Sequence, residues 1–85
     1  MSRLEKLIVK LKRESKDFSW NELIKLLTGL DFTELSNGKT GGSRRKFYHE
    51  GHNIIINLHK PHPSPYLKEY ALKQIRNKLS EEQMI

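Results

Sequence analysis

No cysteine occurs among the 85 residues, so disulfides are excluded and no thiolate is available as nucleophile or metal ligand. Long apolar runs are missing as well. No stretch approaches the roughly 20 residues that cross a bilayer. The first residues alternate charge with leucine and do not form the apolar segment of a signal peptide. A cytoplasmic protein without a membrane partner is the expectation. Proline is confined to Pro61, Pro63 and Pro65, which leaves the rest of the chain open to helices and strands. Apolar residues make up only 35%, enough for one thin core in one domain. Acidic residues are scarce in the middle of the chain. Between Glu34 and Glu69 only Glu50 is acidic, whereas the same stretch holds Lys39, Arg44, Arg45, Lys46, Lys60, Lys68 and all four histidines. A net charge of +6 with this distribution points to a polyanionic partner.

Over residues 2–14, Leu4, Leu7, Ile8 and Leu11 recur at i, i+3, i+4 and i+7, the stripe of an amphipathic helix whose lysines form a solvated face. A second helix opens at Ser19, with Glu22 placed to complete a capping box and Phe18 and Leu23 to form a hydrophobic staple. It runs to about Leu27, burying Leu23, Ile24, Leu26 and Leu27, with Gly29 just past its end. Phe32 and Leu35 suggest a short strand, closed by Asn37-Gly38 and a loop through Gly41 and Gly42. A second strand covers residues 44–49, and Glu50-Gly51 turns tightly into a third over residues 53–58. If Phe47 faces the core, Arg44, Lys46 and Tyr48 share the opposite face. Likewise Ile54, Ile56 and Leu58 point inward, while Ile55, Asn57 and His59 point away. The proline-rich segment that follows fits neither a helix nor a central strand. Ser64 then caps, and Pro65 opens, a last helix with Leu67, Tyr70, Ala71, Gln74, Ile75 and Leu79 inward. The expected fold is α+β, in the order α-α-β-β-β-α, with helices on one face of a three-stranded antiparallel sheet. Residues 1–17 form an N-terminal helical extension, 18–79 the core, and 80–85 a frayed tail.

The segment Gly41-Gly42-Ser43-Arg44-Arg45-Lys46 joins two glycines, whose amides can approach phosphate oxygens, to a hydroxyl and three cations. The alternative reading is a hairpin loop leading into a solvated strand. His49-x-x-His52 and His59-x-x-His62 resemble two ligand pairs, but no carboxylate accompanies them, and neither metal nor other cofactor is expected. A histidine beside RNA can instead move protons while the 2′-oxygen attacks the adjacent phosphate. His59, at the end of the third strand on the Arg44/Lys46 face, is the first candidate, with His62 and His49 behind it. Phe18, Trp20, Phe32, Phe47 and Tyr70 are assigned to the core, and Tyr48 to base stacking if its face is open.

From Phe18 to about Leu79 the chain resembles the HicA toxins, which are often encoded beside a HicB antitoxin. The pieces that carry the resemblance are the helix before Gly29-Leu30-Asp31-Phe32, then Gly42-Ser43-Arg44-Arg45-Lys46-Phe47. The strand into Leu58-His59-Lys60-Pro61-His62-Pro63 and the closing helix from Leu67-Lys68 to Ile75 complete it. The resemblance implies a fold like the double-stranded RNA-binding domain, metal-independent mRNA cleavage, and neutralisation by a HicB-like antitoxin. Many members read Gly-Ser-His where this chain has Gly42-Ser43-Arg44, and that histidine is taken as catalytic. Arginine does not accept a proton near neutral pH. Either His59 or another imidazole then takes over, or the protein binds RNA without cutting it. The leading reading places Ser43, Arg44 and His59 at the scissile phosphate, with Lys39, Gly41, Gly42, Arg45, Lys46, Tyr48, Lys60 and His62 contacting RNA. A non-catalytic RNA-binding module and a protein-binding adaptor with a basic docking face are the alternatives.

Overall fold

The computed structural model describes residues 2–14, 16–35, 44–61 and 63–85. Three helices, α1 (Arg3–Lys12), α2 (Trp20–Gly29) and α3 (Glu69–Glu81), accompany three strands, β1 (Thr33–Leu35), β2 (Arg44–His49) and β3 (Ile54–His59). The order is the expected α-α-β-β-β-α. The strands form an antiparallel meander, β1-β2-β3. Phe47, Ile56 and Leu58 on one face of the sheet join Phe18, Trp20, Leu23, Leu26 and Leu27 from the α2 region and Leu72, Ile75 and Leu79 from α3 in a single core. No helix covers the other face among the described residues, where Arg44, Lys46, Ile55, Asn57 and His59 are exposed; α3 borders only its β3 edge, where Gln74, Asn77, Lys78 and Glu81 share a cleft with Ile55 and Asn57.

Local sequence explains the start of α2. The Ser19 hydroxyl accepts from the Glu22 amide, and the Glu22 carboxylate accepts from the Ser19 amide, so both halves of the capping box are present. Phe18 and Leu23 are fully buried, as a staple requires. Glu22 also accepts from Lys10 of α1 at 2.8 and 3.0 Å, which fixes α1 across α2. Burial pushes the Glu22 carboxyl up, but the hydrogen bonds from Lys10 and Ser19 together outweigh it and leave the group below its ordinary value. The Glu22 hydrogen bond raises the Lys10 pKa in turn. At the far end of α1, Arg76 of α3 donates to the Leu11 carbonyl and pairs with Glu14.

Helix ends depart from expectation. Gly29 is the last residue of α2, and the left-handed position falls on Asp31, with φ of 71°. Phe32 donates to the Leu27 carbonyl and Asp31 to that of Thr28, the two bonds of a Schellman motif. Gly29 serves α1 instead: a Cβ there would stand 2.8 Å from Leu4 Cδ1. α3 closes in the same way, with Gln83 left-handed and Met84 donating to the Leu79 carbonyl. The tail expected to fray therefore turns back, and Met84 and Ile85 pack against the core.

Four further expectations are corrected. α3 begins at Glu69, with Lys68 as an N-cap that makes no side-chain hydrogen bond. Ser64 and Pro65 do not start it. Pro65 instead accepts from the Trp20 amide, Leu67 donates to the Phe18 carbonyl, and Ser19 bridges Tyr66, so this segment is held extended against the start of α2. Tyr70 is 68% exposed. At 100° per residue it lies opposite the Leu72, Ile75 and Leu79 stripe that faces the core. The β2–β3 connection spans residues 50–53, with Asn53 left-handed, so β3 starts one residue later than expected. Finally, Phe32 is buried while Leu35 pairs with Lys46 on the open face, as their odd spacing requires.

Candidate functional site

Antiparallel pairing settles which side chains share a face. Arg44 is directly opposite His59, Lys46 opposite Asn57, and Tyr48 opposite Ile55. Phe47 and Ile56 pair on the core side, so these three rows all lie on the helix-free face. Thr33 and Leu35 of β1 extend it beside Tyr48 and Lys46. Arg44, Lys46, Asn57 and His59 are exposed, and no described strand position on this face is acidic. The face is cationic at the end where β2 begins and β3 finishes. At the hairpin end it carries a phenol and an exposed isoleucine, with the Tyr48 hydroxyl 3.5 Å from Asn53 Oδ1.

Not every expected residue joins this surface. Arg45 alternates to the helix side, where its Nε lies 3.6 Å from Glu34 and its Nη1 donates to the Arg44 carbonyl. Its charge is partly answered within the molecule. His49 is also on the helix side, edge-on to Phe32, with its Nδ1 accepting from the His52 amide. His52 in turn lies 3.1 Å from Glu82, tying the hairpin turn to the end of α3. His49 and His59 occupy opposite ends of the β2–β3 ladder, five residues or roughly 17 Å apart along a strand. His49 and His59 therefore do not share one metal ion, and among the described residues no group of three or more His, Asp or Glu side chains could hold one. Lys39, Gly41, Gly42, Ser43 and His62 lie outside the described residues. Among the described residues no helix is long and apolar enough to cross a membrane.

A cleft that the residue pattern alone does not announce adjoins the cationic end. Beyond His59 the chain passes Lys60 and Pro61, and its return past α2 forms a cleft of about 350 Å³. His59, Lys60, Tyr66, Lys68 and Tyr70 line it. Two signals for it were present in the sequence: the four-residue spacing of the tyrosines, and the outward angle of Tyr70 relative to Leu72, Ile75 and Leu79.

Residues 20–81 match the family model described as the HicA toxin of bacterial toxin–antitoxin systems. No curated protein and no solved structure matches the chain.

Proposed function

Because the chain belongs to the HicA toxins of bacterial toxin–antitoxin systems, we propose that its open sheet face holds messenger RNA and cleaves it without a metal. The observation that carries this reading is the cross-strand pair of Arg44 and His59, with Lys46 two residues along on the same face. Cleavage by the RNA's own 2′-oxygen needs an acceptor for the 2′-hydroxyl proton, a cation for the charge that develops on phosphorus, and protonation of the departing 5′-oxygen. His59 is the acceptor. Arg44 and Lys46 bind the phosphate and stabilise the five-coordinate state, Ser43, which precedes Arg44 in the sequence, is assigned a further hydroxyl contact, and solvent protonates the leaving oxygen. The products are a 2′,3′-cyclic phosphate and a free 5′-hydroxyl. On this reading Arg44 takes the place of the histidine that the resemblance implies for many members, and the imidazole is supplied from the neighbouring strand.

The partner that neutralises the toxin is a HicB-like antitoxin that covers the same face. Ile55, 51% exposed and opposite Tyr48, gives the hairpin end of that face an apolar patch suited to a protein contact beside the charges at its other end.

Purified protein incubated with RNA in excess EDTA tests the chemistry. The wild type should cut, His59→Ala should lose at least about 100-fold in rate, and Arg44→Ala a comparable factor. Intact RNA with the wild type would reject the nuclease. Equal cutting by His59→Ala would remove that residue from the mechanism.

A further inference from the structure

Building on the RNA-binding reading, we infer that the cleft between the end of β3 and the start of α3 seats an unpaired base, and that the substrate is therefore single-stranded. The two tyrosines are the reason. Tyr66 is 49% exposed and Tyr70 68% exposed, and neither hydroxyl has a hydrogen-bond partner among the described residues. Large rings left open to water beside a cationic surface offer flat apolar area at low conformational cost, and any nucleobase can stack on them.

The fold fixes the backbone that carries these rings. Tyr66 lies in the extended segment pinned to α2 by the Trp20–Pro65 and Leu67–Phe18 backbone bonds, and Tyr70 lies in the first turn of α3. The cleft they line begins at His59, the residue opposite Arg44. A strand whose phosphate rests between Arg44 and His59 thus meets the cleft with its next nucleotide.

The charges agree. Lys60 and Lys68 line the cleft, and among the described residues no acidic side chain does. Lys68 is also the N-cap of α3, a position where serine or aspartate would bond the free amides and where a cation opposes the helix dipole. A lysine held there against local preference suits a phosphate flanking the stacked base. A base paired within a duplex cannot enter without leaving its stack, so the cleft selects unpaired RNA.

The test compares a non-cleavable 2′-O-methyl oligonucleotide, single-stranded or annealed to its complement, bound to wild type, Tyr66→Ala/Tyr70→Ala and Tyr66→Phe/Tyr70→Phe at low salt. Both tyrosines are exposed, and circular dichroism checks that each variant folds. The wild type should prefer the single strand, and the alanine pair should weaken single-strand binding by at least about tenfold. The phenylalanine pair should retain it, and duplex binding should be the same for all three. Equal single-strand affinity for wild type and the alanine pair would overturn the cleft while leaving RNA binding by the sheet intact. Wild type that binds neither RNA would overturn both.

Discussion

The ammonium of Lys10 lies 2.8 Å from the Oε2 of Glu22, and the other oxygen of the same carboxylate accepts from the amide of Ser19. One acidic side chain thereby starts α2 and fastens α1 to it. Both partners are mostly sheltered, with 28% and 29% of their side chains exposed.

This pair gives the stability a pH dependence of known sign. The Glu22 carboxyl is held below its ordinary value of 4.5, so its contribution is complete above that value and lost as pH falls through the lower folded value. Lys10 is raised above 10.5, so its share is complete below that pH and lost as pH rises through the higher folded value. Urea unfolding at pH 7 should show Glu22→Gln less stable than wild type by roughly 0.5–1 kcal/mol. The gap should narrow as the wild-type carboxyl is protonated below pH 4.5. A gap that does not change with pH would contradict the assignment.

Gln83 holds a left-handed conformation, φ 58°, that ordinary side chains adopt at a cost of about 1–2 kcal/mol. Gln83→Gly should stabilise the fold by roughly 0.5–1 kcal/mol, raising Tm by a few degrees. An unchanged or lower Tm in a thermal melt would mean that the closing turn of α3 is not formed as described.

Lys68→Asp should act in opposite directions on stability and binding. Aspartate supplies the missing cap of α3, worth about 1 kcal/mol. It also places a negative charge in the tyrosine cleft, so single-strand RNA affinity should fall. Parallel melting and binding curves check both halves; a variant that gains stability and keeps its affinity would separate Lys68 from the RNA.

Much of this architecture could be read in the residues. The capping box at Ser19 and Glu22, the alternation around Phe47 and the Ile56/Leu58 pattern all express local rules with one geometric outcome. Together they place Arg44, Lys46 and His59 on one face. The helix ends were not legible in the same way. Glu14, Asp31 and Gln83 each take up the left-handed position after a helix, where glycine is the usual marker. The start of α3 was hidden because Pro65 and Leu67 are held extended by Phe18 and Trp20, contacts between segments far apart in sequence. Without them Ser64-Pro65 has the form of a helix start, which shifted the expected stripe and put Tyr70 in the core. Arg45 shows the limit of counting charges: alternation sends it to the helix side, towards Glu34, although it lies between two cations of the open face.

Contact between the helix-free face and a sugar–phosphate chain is tested most directly by the salt dependence of RNA affinity. Lys46→Gln and Lys25→Gln remove the same charge from opposite sides of the molecule, one on the open face and the other on the exposed side of α2. For a 2′-O-methyl single strand, Lys46→Gln should weaken binding at low salt and reduce the slope of log Kd against log salt by about 0.7. Lys25→Gln should leave both close to wild type. Equal effects from the two substitutions would show that RNA responds only to the overall charge and would contradict a binding surface on the sheet.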